Sequence, residues 1–240
     1  MSCDPGKRMM YRCFVPAVEG VWGPAVHSNC NHNELAALAL RTMGVTPSDP
    51  KHFSSLVERA FMKLRIRVKQ LNLQPWSLER VAGSYKGSMG KRYAEALKSL
   101  DEEWLGKHDF SLSAFVKAEK FDPILKISKP RMINPRSPRY NLVLASYLKP
   151  LEHALWRDWC VGHMCTPTRM SGKGLNGVAR AQLIQEKMES VGDCVVFEVD
   201  GKAFEAHVTH AQLRLEQGVY KAAFPNDSEL RRLLEVQLKF

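Results

Sequence analysis

The sequence predicts an α+β protein that is mainly helical. Three observations carry this reading. Apolar residues recur at three- and four-residue steps through most of the chain, a proline-punctuated basic stretch interrupts that rhythm between residues 120 and 140, and one short β-branched run, Cys194-Val195-Val196-Phe197-Glu198-Val199, follows the turn pair Gly192-Asp193.

Taken in order, the first thirty residues are rich in turn formers (Pro5-Gly6, Pro16, Gly20, Gly23-Pro24) and read as an irregular arm. Asn33 is placed to cap a helix through Glu34 to Arg41 that ends near Gly44. A second helix is expected from Lys51 to Leu71, where Phe53, Leu56, Val57, Ala60, Phe61, Leu64 and Val68 share a face. Its opposite face carries Lys63, Arg65, Arg67 and Lys69, which is either a binding surface or a solvated one. Ser77 caps a short helix, Gly83 to Gly90 forms a loop around Tyr85 and Lys86, and Arg92 to Leu100 is helical. The glycines and lysines of that loop suggest a phosphate cradle, but their spacing matches neither a P-loop nor a dinucleotide fingerprint.

Between Lys120 and Tyr140 six cations (Lys120, Lys126, Lys129, Arg131, Arg136, Arg139) face the single acid Asp122, with Pro123, Pro130, Pro135 and Pro138 among them. Prolines at those intervals exclude a continuous helix and favour extended segments and turns. Interleaved Ile124, Leu125, Ile127, Met132 and Ile133 anchor the segment on a core, so the charged heads are expected to turn outward. Such a track suits phosphates, because arginine gives bidentate contacts and lysine a mobile point charge. Beyond it, Asn141 to Trp159 reads as a helix bent at Pro150, a glycine-rich connector runs from Ser171 to Gly177, and another helix covers Val178 to Ser190. The run Cys194 to Val199 then reads as a buried strand ending at Asp200, and Glu229 to Leu234 as a last helix.

A carboxylate at the end of a strand, with Gly201 relaxing the backbone, is suited to a divalent metal. The plainer alternative makes Asp200-Gly201 a turn and Glu205 a solvated helix residue.

Composition narrows the function classes. At 240 residues the chain forms one large domain or two small ones; a hydrophobic fraction of 45% is ordinary for a soluble protein. No apolar run reaches the ~18 residues of a membrane span, and the N-terminus lacks the apolar core of a signal peptide, so an intracellular setting is expected. Six scattered cysteines suit a reducing compartment. Cys160, His163 and Cys165 approximate a zinc cluster without its second half and read as buried thiols beside a loop histidine. A net charge of +10 favours a polyanionic partner, nucleic acid or nucleotide.

Several strings in order then carry a family resemblance: YKGSMGKRYAEALKSL, FVKAEKF, KPRMINPRSPRYN with YLKPLEHALW, SGKGLNGVAR, and the D-x4-E-A-H of Asp200 to His207. From Trp76 to Tyr220 the chain resembles the RNA-dependent RNA polymerases of tombusvirus-like plus-strand RNA viruses, the carmovirus and umbravirus relatives. The resemblance implies a right-hand polymerase, incomplete here, with the N-terminal arm and fingers region over 1–190 and the start of the palm over 191–240. It implies Asp200 as the first aspartate of palm motif A, catalytic and a ligand of Mg2+ (or Mn2+). Glu205 stands where the family has a second aspartate that reads the ribose 2′-hydroxyl. Lys117, Lys129 and Arg131 match the basic fingers motif that binds the incoming nucleotide, and Lys120, Lys126, Arg136 and Arg139 extend it as RNA contacts.

The implied partners are RNA template and product, ribonucleoside triphosphates, the remainder of the polymerase chain, and viral or host replication proteins. The implied location is the host cytoplasm, in membrane-associated replication complexes, with no transmembrane segment in this chain. Two departures qualify it. Glu205 is one methylene longer than the aspartate it replaces, and residues 206 to 240 hold neither motif B nor the Gly-Asp-Asp of motif C, so the chain is expected to be inactive alone. The rival reading is a noncatalytic basic RNA-binding protein on the same scaffold; a cellular structural protein with chance matches is the remaining one.

Overall fold

Helices dominate the structure, a computed structural model that describes residues 18–20, 23–44, 53–125, 128–158, 168–201 and 204–239. These divide into two units: Met1–Ser48 with Lys107–Ser137 and Lys202–Val208, and Asp49–Gly106 with Pro138–Gly201 and Thr209–Phe240.

The regular elements described in the second unit are helices. Its elements are α2 (Phe53–Gln70), α3 (Leu78–Gly83), α4 (Gly87–Glu102), α5 (Pro138–Asp158), α6 (Gly177–Val191), α7 (His210–Ala223) and α8 (Ser228–Val236). Helix α5 is the central one, packing against α3, α4, α7 and α8. Its Tyr140, Leu142, Val143, Tyr147 and Leu151 are buried with Val81 of α3, Ala96 and Leu100 of α4, Val219 of α7 and Leu230, Leu233 and Leu234 of α8. Leu230, Leu233 and Leu234 keep the three- and four-residue spacing that puts them on one face, and each is fully enclosed. Helix α7 also lies along α2, where the Arg65 guanidinium covers Gly218 so closely that a Cβ there would overlap it.

Capping follows the sequence. Ser77 accepts from the Arg80 amide, Asn176 from Ala179, and Asp227 from Leu230. Thr209 and Gln212 form a reciprocal capping box at the start of α7. Pro150 lies inside α5. It has no amide hydrogen to give the carbonyl four residues back, that of Ser146. The Trp76 amide takes up that acceptor at 2.8 Å, so the helix defect fixes the chain leading into α3.

The first unit is built on two short antiparallel pairs. Strand β1 (Ala25–Val26) pairs with β3 (Lys120–Phe121), and β2 (Phe115–Val116) with β4 (Met132–Ile133). The prolines leave extended segments between Lys120 and Tyr140 until helix α5 begins at Pro138. The arm expected to be irregular through residue 30 contributes β1, and the Asn29 side chain accepts from the Val116 amide at 2.9 Å.

Helix α1 (Asn31–Ala37) starts earlier than Asn33 predicts: Asn33 lies in its first turn and its amide turns back to the Ser28 carbonyl at 2.8 Å. The expected end near Gly44 is reached through a π-type turn, Leu38–Thr42, closed by the Met43 amide on the Leu38 carbonyl.

One expected element is corrected. Residues 194 to 201 have no regular secondary structure, and Val195, Phe197 and Val199 are 89%, 80% and 85% exposed rather than buried. β-branched and aromatic residues prepare a strand, but a strand exists only through the hydrogen bonds of a neighbour, and no described residue pairs with these. Cys160, His163, Cys165 and the end of the α5 prediction at Trp159 lie outside the described residues.

Candidate functional site

The pairing of β2 with β4 sets Phe115 against Ile133 and Val116 against Met132. Backbone bonds continue beyond the two strands, from the Lys117 amide to the Arg131 carbonyl at 2.8 Å and from the Ser113 amide to the Pro135 carbonyl at 2.9 Å. Lys117 and Arg131 are therefore brought side by side by the ladder itself. The Glu119 amide reaches back to the Lys117 carbonyl at 3.0 Å, and this tight turn brings the Glu119 side chain to Lys117. The result is a cluster on one oxygen: Glu119 Oε1 accepts from Lys117 Nζ at 2.5 Å and from Arg131 Nη1 at 3.1 Å. The hydrogen bond from Lys117 leads in holding the Glu119 carboxyl below the usual glutamate range; burial opposes it, and the charges of Arg131, Lys117 and Arg41 add to the lowering.

Beside this cluster is a cleft of about 410 Å³ lined by Arg41, Thr42, Arg131, Asn134 and Glu205, among others. Arg131 Nη2 lies 3.9 Å from Glu205 Oε1, at the outer range of an ion pair, and the Glu205 side chain is 82% exposed. Arg41 enters from the turn after α1 and donates from Nη2 to the Lys129 carbonyl at 3.1 Å. The buried Nε of Arg41 has no acceptor among the described residues. His27 meets the same segment one residue earlier, its Nε2 lying 2.6 Å from the Ser128 carbonyl. Two guanidinium groups, a lysine and two carboxylates around an open cleft can bind a polyanion and read a neighbouring hydroxyl.

Of the predicted nucleotide contacts, Lys117, Arg131 and Glu205 thus lie in one neighbourhood. Lys129 shares it through its backbone, with its side chain exposed. The predicted RNA contacts divide differently. Lys120 is exposed on β3, and Lys126 lies outside the described residues. Arg136 donates to the Phe110 carbonyl at 3.2 Å. Arg139 donates to both the carbonyl and the hydroxyl of Ser99 at 2.7 Å, and to the Glu103 and Trp104 carbonyls, closing the C-terminal end of α4. Their heads turn inward because helix-end and loop carbonyls without intrahelical partners are strong acceptors for a guanidinium.

Asp200 is exposed on the unpaired segment 194 to 201. Among the described residues no group of three or more His, Cys, Asp or Glu side chains is gathered to hold a metal ion.

Sequence reasoning missed Glu119 and Arg41. The first is set by a tight turn, from the Glu119 amide to the Lys117 carbonyl, that no turn-forming residue announces. The second had no signal beyond a cation near a helix end.

A basic, phosphate-compatible hairpin beside an open cleft is a feature of nucleotide- and nucleic-acid-binding proteins. The family is settled by comparison: the chain belongs to the viral RNA dependent RNA polymerase family, whose model matches residues 13–240. It is 34% identical over 232 residues to the RNA-directed RNA polymerase of Groundnut rosette virus (strain MC1), covering 96% of this chain and 27% of that one. It is 38% identical over 159 residues to the RNA-directed RNA polymerase of Carnation mottle virus, covering 64% and 20%. With the RNA-directed RNA polymerase of Panicum mosaic virus it shares 32% identity over 253 residues, covering 98% and 25%. The chain spans 20 to 27% of the length of these three relatives. No solved structure matches it.

Proposed function

We propose that this chain is part of a viral RNA-dependent RNA polymerase that copies an RNA template from ribonucleoside triphosphates by two-metal nucleotidyl transfer. The observation that carries the proposal is the convergence of Lys117 and Arg131 on one carboxylate oxygen beside the Glu205 cleft, in a chain of this family. Residues up to 190 serve as arm and fingers, and 191–240 open the palm.

Phosphoryl transfer needs positioning and charge neutralisation more than covalent help. Lys117, Lys129 and Arg131 supply cations for the triphosphate, exchanging Glu119 for phosphate oxygens. Glu205 accepts a hydrogen bond from the ribose 2′-hydroxyl, its high exposure leaving the longer side chain free to retract.

The Asp200 carboxylate is a hard oxygen donor of the kind Mg2+ or Mn2+ selects, and it would be one ligand among several. A metal bound there supplies Lewis-acid stabilisation of the reacting oxygens. With a single candidate ligand among the described residues, catalysis is expected of the longer polymerase rather than of this chain alone. The setting is the cytoplasm of the host cell; among the described residues no helix is long and apolar enough to cross a membrane.

The test uses the full-length polymerase. Asp200→Asn should abolish nucleotide incorporation on a primed RNA template while leaving RNA affinity within about twofold, less than ~0.5 kcal/mol. Equal loss of both would make Asp200 structural, normal incorporation would remove its metal role, and an unsubstituted chain that binds RNA without incorporating nucleotide would favour the noncatalytic RNA-binding reading.

A further inference from the structure

The helical unit carries a second cationic surface that the nucleotide site does not use. Four side chains form a row on the α5 side: Arg80 Cζ lies 3.9 Å from the Trp76 ring centre, Trp76 and His153 are 5.1 Å apart, and His153 and Trp156 are 5.4 Å apart. Lys173, from the glycine-rich connector, closes the row with Nζ 4.6 Å from the Trp156 ring centre. Gly174 turns the connector there in the left-handed region, at φ +79°, beside the Trp156 ring. Next to the row, Lys149 Nζ stands 4.0 Å over Tyr85, which stacks on Tyr93 at 4.4 Å. These groups meet at a cleft of about 430 Å³ lined by Tyr85, Lys149, Glu152, His153, Trp156 and Lys173.

The surface is held in place from beneath. The Trp76 amide is tied to the Ser146 carbonyl that Pro150 leaves vacant, and Lys149 Nζ donates to the Ser84 hydroxyl at 2.7 Å. Its upper side is open, since Arg80, His153 and Lys173 are exposed and Trp76, Tyr85 and Trp156 partly so.

We propose that this row is a seat for single-stranded RNA, with bases on the His153, Trp156 and Tyr85 rings and phosphates on Arg80, Lys149 and Lys173. An unpaired strand offers π faces and anionic groups in alternation, and rings interleaved with mobile cations are their complement. In the free protein the cations rest on the rings. A strand that draws Lys149 and Lys173 onto phosphates uncovers the Tyr85 and Trp156 faces for its bases. Charge selects this occupant over a protein segment: three cations stand against Glu152 in and around the cleft, in a chain of net charge +10. It also answers a deficit in the basic track, where Arg136 and Arg139 are engaged with carbonyls of the protein itself. The inference rests on the reading that the chain binds RNA, and is independent of the nucleotide site.

The experiment measures binding of a fluorescent oligouridylate to the 240-residue chain across a salt series, with tryptophan fluorescence as a second readout. Trp156→Ala should weaken binding roughly tenfold, and Trp156→Phe should restore most of it. Lys173→Gln, a surface change that leaves the fold intact, should lower the slope of log affinity against log salt by about 0.7. Lys129→Ala with Arg131→Ala serves as the comparison. If Trp156→Ala and Lys173→Gln bind as the parent does while the comparison pair weakens, the row is not an RNA seat and the polymerase reading stands. If the parent itself fails to bind, the RNA-binding reading falls with it. Trp156→Ala that unfolds by circular dichroism leaves the decision to Lys173→Gln, whose unchanged slope would overturn the proposal.

Discussion

Arg131 donates from Nη1 to Glu119 Oε1 at 3.1 Å across the β2–β4 hairpin, where Lys117 has already placed its ammonium on the same oxygen. On the proposed nucleotide site, this carboxylate stands where a phosphate oxygen would bind. It competes with any anion these cations bind. Glu119→Gln in the full-length polymerase should lower the KM for nucleotide about two- to fivefold and tighten inhibition by pyrophosphate alike, the ~0.5–1 kcal/mol of a partly exposed ion pair. A raised KM would show instead that Glu119 positions Arg131 for binding.

Acid should release a second carboxylate. Glu229 accepts from Arg232 at 2.9 and 2.7 Å and from Trp104 Nε1 at 3.2 Å, and the hydrogen bond from Arg232 leads in holding its carboxyl below the ordinary 4.5. A depressed carboxyl contributes stability in full above the unfolded value and loses it as pH falls through the folded one. The contribution should be present at pH 7, begin to fade below about pH 5 and disappear under the folded value. Thermal melts from pH 7 to 3 should show a shallower acid limb for Glu229→Gln, with a difference at neutral pH of no more than ~1 kcal/mol.

Arg139 separates structure from binding. Its donors close the end of α4, so Arg139→Ala should destabilise the chain by about 1.5–3 kcal/mol in urea melts, the range for hydrogen bonds to a charged group. The salt slope of RNA affinity should not move. A lowered slope with unchanged stability would return Arg139 to the RNA-contacting set.

Tyr140 is 1% exposed and donates to the Leu233 carbonyl at 2.8 Å while accepting from Gln237 Nε2 at 3.1 Å. Tyr140→Phe keeps the ring and strands both partners, so a loss of about 1–3 kcal/mol is expected in the same melts. A neutral result would mean that water or a rotated Gln237 replaces the hydroxyl.

Most of the helical fold was legible because its signals are local. Ser77 at a cap and the leucine spacing of α8 each specify a helix from a few neighbouring residues. The site was legible only in part. Lys117 meets Glu119, Arg41 meets the Lys129 carbonyl and Glu205 nears Arg131 through turns that no short window encodes. The inward turn of Arg139 was hidden for the same reason, since its acceptors are backbone atoms and carry no side-chain signature. Cys194 to Val199 shows the reverse case: strand-forming residues are present, and the hydrogen-bonding neighbour that would make them a strand is absent among the described residues.

Pro150 has a consequence that reaches beyond its own helix. An alanine there would restore an amide hydrogen whose natural acceptor is the Ser146 carbonyl, the group that now receives Trp76. A change that improves α5 taken alone would thus loosen a distant part of the chain. Positions 150 and 76 are coupled through the backbone: in Pro150→Ala the new amide should compete for the Ser146 carbonyl, and hydrogen exchange at the Trp76 amide should speed up. A proline thus holds together two stretches of backbone that nothing in the linear order of residues joins.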